Sequence, residues 1–436
     1  MIRLFDISLK LNGFPIEEAK VELDTIIAIP NEDYYDFVER RKKEIVDFHL
    51  KNNTFYKELT HLNSYQNWSD LPILTKRNLQ TSLNKRLSRG FSSKNVFLNK
   101  TSGSSGDPMV FAKDKFSHAI TWADYIRRFS WYGIDFNSSF QARFYGMPLD
   151  FLANKKLRFK DFLSRRYRFN IFDLSDNGLE KITAQFQKKK FEYINGYTSN
   201  IVLLAKFLQK KNKILADVCP SLKVCVVTSE MLFEEDRILL EKQLGVPIVN
   251  EYGSSEIGII AFENPKGEWL VNSETLFVEI LDENNQPVPH GEEGKIVVTS
   301  LDNKAHPFIR YEVGDYGVLD EKSTSKKPIL KKLIGRTNDV AILPSGKKAP
   351  GMTFYSITKK LFGDEGNVKE FIIKQTQINV FEIEYTSETA LTSAEIKNIE
   401  KEFSNHLEPN LQYIFIRKEK LERGKSGKLK QFKSYL

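Results

Sequence analysis

Between residues 33 and 60, Tyr35, Phe37, Val38, Ile45, Val46 and Phe48 recur at helical spacing, which predicts an amphipathic helix ending near Asn52 and Asn53. In the stretch Asp-Leu-Pro-Ile-Leu-Thr-Lys at 70–76, Pro72 breaks the chain and Thr75 is placed to cap a helix opening at Lys76. A short apolar run at 109–112 is expected to be a strand, and a helix should follow from about 115 to 132, closed by Gly133. The aromatic stretch 140–146 reads as a strand. After it the pattern repeats: helix near 178–189, strand at 193–194, helix 198–210, strand 223–228, helix 233–243, strand 247–250. Strands alternating with helices predict a parallel sheet with crossover helices, and such sheets bind ligands where strands run out into loops. Two of those ends carry unusual chemistry, at 228–230 and 251–256. From 269 the period shortens to alternation over 276–281 and 295–299 around a turn at 282–285, which predicts a small antiparallel sheet. Past 334–340 come expected strands at 370–374, 379–385 and 411–417, with Thr392 and Glu395 as a capping box for a helix to about 406. The expected fold is α/β. A large N-terminal domain (1–335) has mixed and parallel sheets with crossover helices, and a hinge joins it to a small α+β C-terminal domain (336–436).

With 436 residues, two or three domains are expected, and 41% hydrophobic with 12% aromatic residues is a globular composition. No apolar run is long enough for a membrane span and the first residues lack a signal-peptide pattern, so the expected location is cytoplasmic. The formal charge of +8 raises nucleic acid as a partner. Against it, lysines and arginines are interspersed with 57 acidic residues, and the clusters at 40–43 and 188–190 lie on expected helix faces. Nucleic acid is not expected, whereas a basic balance suits an anionic small molecule. Cys219 and Cys225 make no metal site by themselves, and Cys225, inside the apolar run 224–227, should be a buried thiol. The six histidines suggest no metal site, and His306 before Pro307 is expected to pack.

The most informative stretch is 101–108, Thr-Ser-Gly-Ser-Ser-Gly-Asp-Pro. Thr101, Ser102, Gly103, Ser104, Ser105 and Gly106 offer backbone amides and short hydroxyls with no bulk, which is what wrapping a polyphosphate requires. Composition alone leaves a solvated turn open. The loop is not a Walker A sequence, because no Gly-Lys-Ser/Thr closes it. The Gly-Lys-Ser at 424–426 has Glu419 where the opening glycine is required.

Taken in order, several stretches resemble the adenylate-forming superfamily of acyl-CoA synthetases, in its phenylacetate-CoA ligase and CapK-type capsule-biosynthesis branch. Residues 71–76 resemble that branch's LPxxTK sequence and 101–108 its phosphate loop. Residues 252–256 resemble YGxxE, 310–315 resemble RYxxGD, 335–339 the hinge, and Gly427-Lys428 the GK that carries the catalytic lysine. The resemblance runs from about residue 35 onward.

It implies two half-reactions. A carboxylic acid attacks the α-phosphorus of ATP, giving an acyl-adenylate and pyrophosphate, and a thiol of CoA or a carrier protein then takes the acyl group. Lys428 would supply positive charge at the α-phosphate, and Glu256 would bind Mg2+. The 101–106 loop would hold the phosphates, Asp315 the ribose hydroxyls, Tyr252 with Gly253, Ser254 and Ser255 the adenine side, and Arg336 ribose or phosphate. Tyr145, Tyr197, Ser229 and Glu230 are candidates for the acid pocket. Asn338 departs from the usual Asp or Lys of the hinge, which bears on rotation of the C-terminal domain. The implied cofactors are ATP, Mg2+ and, for one acceptor, CoA. Two other readings stay open: an amide ligase acylating an amino sugar or other amine in surface-polysaccharide biosynthesis, and a degenerate nucleotide-binding member without turnover. From the residues alone, Glu256 also reads as a cap, Asp315 as a turn residue and Lys428 as a solvated lysine.

Overall fold

The computed structural model describes residues 3–101, 109–146, 151–171, 173–336, 340–350, 357, 368–423 and 429–436. The chain divides into two units, one of Met1–Ser139, Leu163–Arg165 and Val249–Leu333, the other of Phe140–Phe162, Arg166–Ile248 and Ile334–Leu436.

In the first unit the apolar stripe read from residue 33 onward is helical over Tyr34–Asn52. Its Ile45, Val46 and Leu50 are buried in a core with Leu71, Leu74, Phe308 and Tyr311. Asn53 ends this helix in an extended conformation and caps the next, Thr54–Thr60, its side chain accepting the Tyr56 amide at 2.8 Å. The helix expected to open at Lys76 does not form. Asn78 Oδ1 accepts both the amide (2.8 Å) and the hydroxyl (2.7 Å) of Thr75, and the chain closes a turn over 76–79 instead. Short polar side chains compete with helix by such local bonds. The residue before it is also committed, since Leu74 donates to the Arg310 carbonyl (2.9 Å) and accepts from the Glu312 amide (2.8 Å).

Strands Phe97–Lys100 and Val110–Lys113 pair antiparallel, so the Gly-rich stretch does join two strands. Helix Lys115–Ser130 follows, with Asp114 accepting from the Ser117 amide as its N-cap. Strands Ile248–Ser254, Gly258–Glu263 and Trp269–Val271 pair antiparallel in chain order. Leu276–Leu281, Glu293–Ser300, Tyr311–Leu319 and Leu330–Arg336 form a four-stranded sheet in that order.

In the second unit four parallel strands pair in the order Arg166–Arg168, Gln141–Phe144, Tyr193–Tyr197, Val224–Thr228. Helices Phe151–Leu163, Asp176–Lys188 and Thr198–Lys210 lie in the connections between successive strands, and Glu234–Leu244 follows the last. Side chains alternate across a strand. One face of these strands therefore presents Ala142, Phe144, Ile194, Cys225 and Val227 to the apolar core, while the opposite face carries Gln141, Arg143 and Asn195. The Cys225 thiol is fully buried, as expected, and burial pushes its pKa up.

A second sheet of this unit orders Gln412–Arg417, Val380–Ser387, Val368–Gln377 and Phe432–Ser434. Helix Ser393–His406 opens on the predicted capping box of Thr392 and Glu395, and its Ile399 and Phe403 share a core with Phe371, Ile373, Phe381 and Ile383. Helices Leu4–Leu11, Ile16–Ala28 and Phe151–Leu163 were not anticipated. Among the described residues no helix is long and apolar enough to cross a membrane.

Candidate active site

The stretch 252–256 ends one strand and enters the turn to the next, and close backbone approach shapes it. A Cβ on Gly253 would lie 2.3 Å from the Gly258 carbonyl oxygen, so only glycine fits there. The register shifts between Tyr252 and Gly253, and the Ile257 amide donates to Ser254 Oγ at 3.2 Å. Ser255 is exposed, whereas Tyr252 and Glu256 on either side are buried.

Both buried side chains meet the strand Tyr311–Leu319. The Tyr252 hydroxyl donates to Asp315 Oδ2 (2.9 Å), and the Tyr311 hydroxyl donates to Glu256 Oε1 (3.1 Å). The 252–256 and 310–315 stretches are thereby joined by two hydrogen bonds, each of which fixes a carboxylate. Arg310, the first residue of the second stretch, is structural. It is buried, pairs with Glu279 through Nε (3.3 Å) and Nη2 (3.2 Å), and donates to the Leu71 carbonyl at 2.8 Å. The 71–76 stretch thus acts by docking on this strand.

Lys113, at the end of the strand after the Gly-rich stretch, was not singled out from sequence. Its ammonium donates to the Ile257 carbonyl (2.8 Å) and to Thr121 Oγ1 (3.1 Å). Burial lowers its pKa to about 8, against the upward pull of Glu256, Asp114 and Asp302. A lysine closing an apolar strand was the available signal. Glu256 accordingly has a cation on one side and a tyrosine hydroxyl on the other. One carboxylate suits Mg2+ held largely by phosphate oxygens, as nucleotide sites commonly hold it. Among the described residues no cluster of three or more His, Cys, Asp or Glu is arranged to hold a metal unaided.

At the mouth of the Gly-rich stretch, the Thr101 amide donates to the Met109 carbonyl and the Met109 amide to Thr101 Oγ1, both at 2.9 Å. These bonds close the base of the stretch. Ser102, Gly103, Ser104, Ser105 and Gly106 lie outside the described residues, as do Asn338 and Lys428. Arg336 ends the strand Leu330–Arg336.

In the second unit Tyr145 and Tyr197 stand together at the strand ends, their rings edge to face with centroids 4.9 Å apart. Ser229, exposed, takes a left-handed backbone (φ 69°). Glu230, a candidate for the acid pocket, engages two backbone amides through its carboxylate. Oε2 accepts the Ser199 amide (2.8 Å) and Oε1 the Leu429 amide (3.0 Å), the residue after Lys428. His306 is buried against Phe308, accepts from Arg86 Nη1, and has its pKa driven well below the usual value by burial and then by Arg86.

No protein-family model matches the chain. The protein CapK of Staphylococcus aureus is 24% identical over 323 residues, 70% of this chain and 69% of that protein. The phenylacetate-coenzyme A ligase of Aromatoleum evansii is 30% identical over 128 residues, 28% of this chain and 29% of that enzyme. Among solved structures, 2-hydroxyisobutyryl-CoA ligase in the postadenylation state superposes with a TM-score of 0.68 at 16% identity, over 90% of this chain and 88% of that one. The superposition fixes the fold. With the ordered motifs, these relatives make the chain similar to the adenylate-forming superfamily, in the branch that contains phenylacetate-CoA ligase and CapK.

Proposed function

We propose that the chain is an adenylate-forming ligase that activates a carboxylic acid with MgATP, releases pyrophosphate, and passes the acyl group to a thiol of CoA or a carrier protein. The observation that carries this reading is the pair of bonds Tyr252–Asp315 and Tyr311–Glu256, which hold one carboxylate for a sugar diol and another for a phosphate-bound cation in one stretch of fold. Attack of an anion on an anion also requires positive charge at the reacting phosphorus. Lys428 would supply it, with Thr101 and the serines of 101–106 on the leaving pyrophosphate. Mg2+ bound at Glu256 would neutralise phosphate charge. Tyr145 and Tyr197 would wall the acid pocket, and the segment from 336 onward would act as a mobile domain about a hinge at Asn338. Arg336 would reach ribose or phosphate.

The length of the match to CapK supports a second acceptor, an amine such as an amino sugar, in surface-polysaccharide assembly. The test is carboxylate-dependent pyrophosphate release from MgATP, first without acceptor, then with CoA or an amino sugar. Acid-dependent release without acceptor is expected, and Lys428→Ala should abolish it while ATP still binds, because the ammonium acts on the transition state more than on the ground state. Release undiminished in Lys428→Ala would remove that residue from the chemistry. ATP binding with no release for any acid would favour a nucleotide-binding protein without turnover.

A further inference from the structure

The polar face of the parallel strands carries a charge that no carboxylate among the described residues pairs with, and this bears on which acid the pocket takes. The inference rests on the reading of Tyr145 and Tyr197 as walls of the acid pocket. Gln141, Arg143 and Tyr145 alternate onto one face of their strand, and the neighbouring strand sets Asn195 opposite Arg143. The Tyr145 hydroxyl donates to Asn195 Oδ1 at 3.0 Å, Gln141 Nε2 reaches the same oxygen at 3.4 Å, and Asn195 Nδ2 donates to the Val226 carbonyl at 3.1 Å. These bonds orient both buried amides. Gln141 must turn Oε1 toward Arg143, whose Nη1 donates to it at 3.1 Å. The Arg143 guanidinium also lies over the Tyr145 ring, 4.3 Å from its centroid.

None of these contacts supplies negative charge. Among the described residues no carboxylate forms an ion pair with Arg143, and its Nε is enclosed without an acceptor. Asp161 is engaged with Arg168, at 2.7 Å from Nε and 3.2 Å from Nη2. Arg166 lies close enough for its charge to be felt, its pKa lowered to about 10 by burial and then by the charge of Arg143. A half-buried guanidinium held in place by oriented amides, with no counter-ion among the described residues, is costly to keep unless a ligand brings the anion.

We propose that the acid activated by this chain carries a second anionic group, and that Arg143 binds it. Same-face neighbours on a strand are about 7 Å apart. Arg143 lies one such step below Tyr145, so the second anion sits a short chain away from the carboxylate that reacts at the strand ends. A dicarboxylate and a phosphorylated acid share this chemistry, and the test separates them.

The full chain is given matched probes, adipate against hexanoate and 3-phosphoglycerate against glycerate, with binding read by calorimetry in the presence of AMP and turnover by pyrophosphate release. Wild type is expected to bind at least one dianion about tenfold or more tightly than its monoanionic partner, and the favoured pair names the second group. Arg143→Met should erase the preference and Arg143→Lys should keep part of it, each variant checked first for an unchanged melting temperature. If Arg143→Met fails to fold, the wild-type ratio and Arg143→Lys decide. Equal binding of both members in both pairs, preference for the monoanions, or a dianion preference surviving in Arg143→Met overturns the proposal. Dianion preference without pyrophosphate release from any acid would sink the adenylation reading while leaving this one standing, and pyrophosphate release from hexanoate and glycerate alone would do the reverse.

Discussion

Asp315 is half-buried, and the Tyr252 hydroxyl donates to its Oδ2. On the proposed chemistry this carboxylate accepts from the ribose diol, and bonds to charged groups contribute about 1.5–3 kcal/mol each. Asp315→Ala is therefore expected to weaken ATP binding by about 10- to 100-fold, measured by calorimetry, and an unchanged nucleotide affinity would take Asp315 out of the ribose site. A second residue-scale consequence concerns pH. His49 is fully buried, Nε2 donating to the Asn303 carbonyl (2.9 Å) and Nδ1 accepting from the Ser88 hydroxyl (3.2 Å). Burial lowers its pKa to about 4 from 6.5, and the Asn303 carbonyl only partly offsets this. Between those values the unfolded chain binds a proton that the folded chain refuses. The stability tied to neutral His49 is thus complete above pH 6.5 and is lost as pH falls toward 4. His49→Gln should be less stable than wild type at pH 7.5, yet lose about 3 kcal/mol less on acidification to pH 4. Parallel chemical-denaturation curves for the two proteins across that window would contradict the assignment.

At the scale of elements, the 252–256 turn depends on the backbone contact between Gly253 and Gly258. An alanine Cβ at 253 would stand 2.3 Å from a carbonyl oxygen in a paired strand, where no flexible side chain can yield. Gly253→Ala should cost at least about 2 kcal/mol and lower ATP affinity by moving both Tyr252 and Glu256. A variant with unchanged melting temperature and unchanged affinity would show that the turn tolerates the shift. The 71–76 stretch gives the complementary lesson. Its Thr75 carries a helix-cap signal, but Asn78 is close enough to capture the Thr75 amide and hydroxyl, and Arg310 draws Leu71 and Leu74 onto a strand more than two hundred residues away. Local propensity is a weak prior against such tertiary bonds.

For the molecule as a whole, Glu230 links the start of helix Thr198–Lys210 to Leu429 through two backbone amides. Arg423 joins the same region, pairing with Glu370 and donating to Ser199 Oγ at 3.2 Å. On the proposed chemistry these contacts hold Leu429, the residue that follows Lys428 in the sequence. Glu230→Gln keeps size but replaces one acceptor with a donor facing an amide. It is expected to slow acid-dependent pyrophosphate release about tenfold with little change in ATP affinity. A loss of melting temperature with kcat untouched would make the clasp structural only.

Periodicity and turn chemistry alone determined the helix from residue 34, the alternating strands and helices between 176 and 250, the antiparallel sheet after 269, and the capping box at Thr392, because each is written in neighbouring residues. The ordered motifs pointed to nucleotide chemistry in the same way, since residue type and spacing are all that such a signal needs. The tertiary structure decided which polar atoms are satisfied. That Tyr252 meets Asp315 across 63 positions, that Glu230 serves two amides, that Lys113 is buried beside Glu256 and that Arg143 lacks an acidic partner among the described residues all follow from sheet register and burial. Those are set by packing between segments distant in the chain, and no local pattern encodes them.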